Sequence, residues 1–153
     1  MEEQEIITAS AADTQEAAGR FVKELLEETA GRDGARLICL RGDLGSGKTT
    51  FAQGAARELG VDMTVNSPTF LIMKKYPLKG QYKGRTLYHL DCYRIHTPGE
   101  AIELGWEEIL REKGSVIFVE WPERIERILP KERIEVYFEA LMGSARRISF
   151  KVF

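Results

Sequence analysis

Residues 40–50 read LRGDLGSGKTT. Three glycines fall within six positions, and a lysine and two threonines follow at once. Glycine has more backbone freedom to lose on folding than any other residue, so such a run persists where the chain must take shapes or make approaches that a Cβ would block. Gly42, Gly47, Lys48 and Thr49 satisfy the spacing G-x-x-x-x-G-K-[ST]. In that pattern consecutive backbone N–H groups wrap a phosphate chain. Asp43, Leu44, Gly45 and Ser46 complete the loop. Gly45 and Gly47 remove Cβ atoms that would collide with the ligand. Lys48 reaches the β- and γ-phosphates as a point charge, and the Thr49 hydroxyl is placed for Mg²⁺. The helix that follows offers its N-terminus to the anion.

Outward from the loop, residues 36–41, RLICLR, read as a central parallel strand. Residues 49–59 read as a helix closed by Gly60. A second buried strand, SVIFVE, spans 115–120. Residues 5–9 form a short first strand. Asp13 to Glu16 fits a capping box, opening a helix whose Ala17, Ala18, Phe21, Val22, Leu25 and Leu26 share one face and which stops near Gly31. Residues 61–65 are a short apolar piece. Residues 69–76 and 86–93 read as an antiparallel hairpin, and 133–139 with 146–152 as a second. Thr97, Pro98 and Glu100 open a helical stretch broken at Gly105, and Pro122 opens a short helix. Buried strands alternating with helices predict an α/β fold. The expectation is one P-loop NTPase-like domain over residues 1–153. Its central sheet is mixed but mostly parallel, flanked by helices and extended by β-hairpins.

Length and composition agree with this. At 153 residues, 43% hydrophobic and 30% charged, the chain can bury a core without disulfides or metals. A net charge of -2 argues against a dominant basic footprint for nucleic acid. No apolar run is long enough to span a membrane, and the acidic N-terminus does not resemble a secretory leader. Cys39 and Cys92 lack a Cys-x-x-Cys spacing and read as free thiols in a reducing compartment, the cytoplasm. His89 and His96 form no spaced ligand set with them.

Three further stretches carry chemistry. Glu120 ends the second buried strand, where P-loop proteins keep the acid that holds the metal or its water. The plainer reading is a solvated strand-end glutamate. In HLDCYR, residues 89–94, alternation puts His89, Asp91 and Tyr93 on one face. That row either orients an attacking water or the Mg²⁺ shell, or is the wet side of a hairpin. Arg94 suits a phosphate contact or a surface ion pair equally well. In NSPTF, residues 66–70, Thr69 either senses the γ-phosphate or sits in a Ser-Pro turn. Trp121 belongs either to the core or to the nucleotide side.

GDLGSGKTT (42–50), NSPTF (66–70), the His-x-Asp-x-Tyr-Arg run (89–94), Leu104-Gly105 and VEWPER (119–124) together resemble the bacterial TsaE family, also called YjeE. The resemblance covers roughly residues 5–152. It implies a small P-loop ATPase needed to make threonylcarbamoyladenosine (t6A) at tRNA position 37. In that family the protein binds the complex of its partners TsaD and TsaB and resets it by ATP hydrolysis, meeting tRNA only through them. By matching motif position, Lys48 contacts phosphates, Thr49 and Glu120 serve Mg²⁺, and Thr50 contacts the nucleotide phosphates. Asp91 then belongs to the metal or water shell and Trp121 lies near the nucleotide. Lys48, Asp91 and Glu120 are the catalytic expectations, with ATP and Mg²⁺ as ligands.

Two other functions fit the glycine loop. A P-loop small-molecule kinase would need an arginine-rich lid; Arg85, Arg94, Arg111, Arg124 and Arg127 are scattered instead. A GTP-dependent binding switch would need an Asn-Lys-x-Asp stretch, which the sequence lacks.

Overall fold

A computed structural model describes residues 3–63 and 72–153. The NSPTF loop with Thr69, and the apolar piece beyond Met63, lie outside the described residues. The elements run β1 (Gln4–Thr8), α1 (Ala11–Glu28), β2 (Arg36–Arg41), α2 (Lys48–Glu58), β3 (Met73–Pro77) and β4 (Thr86–Asp91). Then come α3 (Pro98–Glu103), α4 (Trp106–Leu110), β5 (Val116–Glu120), a 3-10 segment (Pro122–Ile128), β6 (Ile134–Ala140) and β7 (Arg146–Val152).

Among the described residues, seven strands join one sheet in the order β1-β7-β6-β2-β5-β4-β3. The central four, β6, β2, β5 and β4, are parallel. The outer strands run antiparallel: β3 on β4, β7 on β6 and β1 on β7. Both expected hairpins form, the first from Met73–Pro77 and Thr86–Asp91 with residues 69–71 outside the described residues, and each lends a strand to the parallel core. The register sets Leu40 opposite Glu120 and Glu120 opposite Asp91. Three parallel strands therefore end at one level, where the glycine loop begins.

Side-chain alternation sorts the core into two layers. Val116, Phe118, Ile38, Leu40 and Leu87 pack beneath α1 and α2. Ile117, Val119, Leu37, Cys39 and Tyr88 pack against Trp106, Ile109 and Ile125 on the other side. Phe51 anchors α2, with Phe21, Phe118, Phe138 and Phe150 at centroid distances of 5.7, 6.5, 5.3 and 6.0 Å. Truncating so buried an aromatic costs about 3–5 kcal/mol. That burial holds the helix whose first turn carries Lys48 and Thr49.

Local signals fared unevenly. Thr97 and Glu100 form the expected capping box, and Gly105 breaks the helix at φ 96°. Cys39 and Cys92 are free thiols, both buried. The first helix corrects its expectation: it starts at Ala11, capped by Ser10, not at Asp13. The Ser10 hydroxyl accepts from the Asp13 amide, and Asp13 Oδ2 accepts from the Ala9 amide. Asp13 is the third residue of the helix and returns the cap rather than making it. Tyr93 also falls past the end of β4 and lies exposed in a turn.

Candidate functional site

The loop between β2 and α2 depends on its glycines. Gly42, Gly45 and Gly47 take φ values of 151°, 79° and 104°. A Cβ on Gly42 would lie 2.7 Å from both the Phe138 carbonyl oxygen and Ser46 Oγ. Gly47 is the N-cap of α2, and no side chain caps that helix. The first N–H groups of α2 are left for an anion, with the helix dipole behind them. Ser46 Oγ is buried without a hydrogen-bond partner. Asp43 and Leu44 lie exposed on the loop's crest, and Thr50 is half-buried one turn into the helix.

Lys48 is 5% exposed. Its Nζ donates to the Gly42 carbonyl at 2.6 Å and sits 3.7 Å from the centroid of the Trp121 ring. Burial lowers its pKa, and the carboxylates of Glu120, Glu123, Asp91 and Asp43 partly restore it. Trp121 holds φ 57° and ψ 50°, the one non-glycine residue with positive φ among those described. For a bulky side chain that conformation is strained by about 1–2 kcal/mol. It carries the chain from β5 into Pro122 and lays the indole between Lys48 and Tyr93, whose ring centroid is 5.2 Å away.

Glu120 is the centre of the polar set. Its phase on β5 matches Val116 and Phe118, so it projects to the α2 side. Thr49 Oγ1 donates to its Oε1 at 3.0 Å and approaches Oε2 at 3.3 Å. His89 Nε2 lies 2.6 Å from Oε2. Burial pushes the Glu120 carboxyl up, but the hydrogen bond and charge of His89, the Thr49 hydroxyl and the Lys48 charge outweigh it and hold it below its ordinary value. An ionised carboxylate only accepts, so the proton of that contact is on His89 Nε2. Asp91 stands beside Glu120 in register and is exposed. Its Oδ1 accepts from the Tyr93 amide at 3.0 Å.

The structure thus brings together Gly45, Ser46, Gly47, Lys48, Thr49, Glu120, Asp91 and Trp121. No group of three or more His, Cys, Asp or Glu among the described residues makes a metal cage. A hydroxyl and a carboxylate in contact at the mouth of the loop fit Mg²⁺ better than a dedicated cage would. That ion keeps waters and is held by one or two protein oxygens plus substrate phosphates.

Two contributors escaped the sequence reading. His89 was grouped with Asp91 by alternation, but its partnership with Glu120 needs β4 beside β5, which no local pattern states. Arg146, at the start of β7, donates from Nη2 to the Gly45 carbonyl at 3.1 Å. Arg94 is exposed. A cavity of about 500 Å³ lies elsewhere, at the opposite end of β2, beside Arg36, Arg133 and Phe153. Arg36 there donates to the carbonyls of Thr29, Arg32 and Gly34, tying off the end of α1.

A family model described as threonylcarbamoyl adenosine biosynthesis protein TsaE matches residues 8–148. The tRNA threonylcarbamoyladenosine biosynthesis protein TsaE of Bacillus subtilis is 41% identical over 114 residues, 74% of this chain and 68% of that protein. The protein of the same name from Treponema pallidum is 33% identical over 94% of this chain and 96% of its own. The crystal structure of Bacillus subtilis YdiB superposes with a TM-score of 0.72 at 30% identity, covering 99% of this chain and 86% of that one.

Proposed function

The chain belongs to the TsaE family, and on that premise we propose that it hydrolyses ATP in the formation of threonylcarbamoyladenosine on tRNA. The observation that carries this reading is the Thr49–Glu120 contact at 3.0 Å beside Lys48 at the mouth of the glycine loop. A hydroxyl, an ionised carboxylate and an ammonium converge at the first turn of α2, which no side chain caps. That set suits a triphosphate with its metal.

In this reading Gly45 to Thr50 wrap the phosphates with main-chain amides. Lys48 exchanges the Gly42 carbonyl for phosphate oxygens and neutralises charge that builds during cleavage. Thr49 and Glu120 would hold Mg²⁺, which would supply charge neutralisation to the phosphates. Asp91, level with Glu120, serves the metal-and-water shell. Trp121 closes the lysine side of the site. Arg146 spends its contact on the outer carbonyl of Gly45, so an arginine aimed at the γ-phosphate is missing among these contacts. Lacking such a finger costs P-loop enzymes about 10³ to 10⁵ in rate. Turnover by the isolated chain is therefore slow. In the cytoplasm its partners are TsaD and TsaB, whose complex it resets by hydrolysis, reaching tRNA only through them.

Phosphate release from ATP without any acceptor tests the reading and separates it from a kinase. The expected result is slow Mg²⁺-dependent release that rises when TsaD and TsaB are added. Lys48→Ala and Glu120→Ala should abolish release while leaving the fold intact. Release at the parent rate by either variant rejects its assigned role.

A further inference from the structure

We infer that His89 is a positioning residue for Glu120: it locks the carboxylate in the orientation that serves the metal, so that the binding of Mg²⁺ with nucleotide depends on an imidazole that touches neither. This rests on the nucleotide reading above and adds a residue to it.

The geometry is tight. The His89 and Glu120 side chains are 13% and 7% exposed, with Nε2 and Oε2 2.6 Å apart. Their backbones sit on neighbouring parallel strands, where His89 pairs with Phe118 and Asp91 with Glu120. The imidazole reaches across that offset to the oxygen less closely held by Thr49, whose contacts are 3.0 Å to Oε1 and 3.3 Å to Oε2. The two donors therefore divide the carboxylate. Thr49 approaches from the helix and His89 from the sheet.

The terminal torsion of a glutamate is broad, so its carboxylate plane is set by whatever it bonds. Removing His89 leaves Oε2 buried without its short partner, at a place where water enters poorly. The carboxylate then turns to find another donor and leaves the position in which Thr49 also points at the metal. Outer partners that orient a metal-binding carboxylate typically contribute 10- to 100-fold in metal affinity. The stiff β4 and β5 strands make the imidazole a fixed support rather than a mobile one.

The test uses ADP, which the chain does not consume, with calorimetry in excess Mg²⁺ and again in EDTA. In the parent, Mg²⁺ should tighten ADP binding. His89→Ala should lose about 10- to 100-fold of the Mg²⁺-dependent affinity and keep its metal-free affinity. His89→Gln, whose amide nitrogen reaches a similar distance, should recover part of the loss and stays available should the alanine variant unfold. In Glu120→Ala the further change His89→Ala should cost nothing more. Full Mg²⁺ enhancement in His89→Ala overturns the inference, as does an equal loss with and without Mg²⁺, or a loss that adds to that of Glu120→Ala. Absence of Mg²⁺ enhancement in the parent overturns the nucleotide reading as well, which separates the two failures.

Discussion

Arg146 Nη2 donates to the Gly45 carbonyl at 3.1 Å, so the terminal hairpin grips the glycine loop from 101 residues away. Its Nη1 bonds the carbonyls of Gly143 and Ala145, which fixes the guanidinium against its own turn. A Cβ on Gly47 would fall 3.6 Å from this side chain, so the arginine packs along the loop's outer wall. The amide of that same peptide, on Ser46, donates to the Asp43 carbonyl at 3.1 Å, so the arginine holds a turn at the loop's crest.

Arg146→Ala should therefore weaken nucleotide binding without unfolding the chain. One charge-assisted hydrogen bond at a half-exposed site contributes about 1 kcal/mol, or roughly fivefold in Kd. Calorimetry with Mg·ADP measures the shift, and urea unfolding checks that the fold is retained. A Kd equal to the parent's would mean that the brace does not act on the loop.

The Lys48–Trp121 contact offers an optical readout. The ammonium stands 3.7 Å from the indole centroid, and binding phosphate would draw it off that face. The other tryptophan, Trp106, is buried, donates its indole N–H to the Ile128 carbonyl at 3.2 Å and lies on the face of the sheet away from α2. Emission should change when ATP is added to the parent and to Trp106→Phe, and should stay constant in Trp121→Phe. A full change in Trp121→Phe would show that the signal has another source.

What the sequence made legible was short-range. The glycine loop, the two buried strands, the Thr97–Glu100 cap and the break at Gly105 each declare themselves within a few residues. Glu120 ends β5 as its position in the apolar run predicts, because a strand end is a local fact. The Ser10 cap was misassigned because Asp13 and Glu16 satisfy the same pattern three residues later. The placement of β6 next to β2, and of β4 next to β5, is set by which apolar faces meet, and no local spacing encodes it. The His89–Glu120 and Arg146–Gly45 contacts exist through those adjacencies, which is why neither residue stood out.

Gly54→Ala tests the packing that positions α2. Alanine is favoured over glycine inside a helix by about 1 kcal/mol. Here the added Cβ would lie 2.3 Å from the Gln15 carbonyl oxygen and 2.4 Å from its Cα, both backbone atoms of α1. Overpacking against backbone costs about 1–3 kcal/mol or more, so the clash outweighs propensity. The variant should unfold at lower urea than the parent, with an unchanged slope. A higher midpoint would mean that the two helices part easily.

Acid should reveal the Glu120 contacts in the nucleotide-free chain. Burial raises the Glu120 carboxyl, yet His89, Thr49 and Lys48 together bring it below its ordinary 4.5. The unfolded chain then takes up this proton before the folded one as pH falls. The stabilisation is complete above 4.5 and is lost as pH drops through the lower folded value. Glu120→Gln has no such proton to take up. Its urea midpoint should lie below the parent's at pH 7, and the two should converge as the pH falls below 4.5 through the lower folded value. A gap that stays constant over that range would mean that the carboxylate draws no net stabilisation from its three partners.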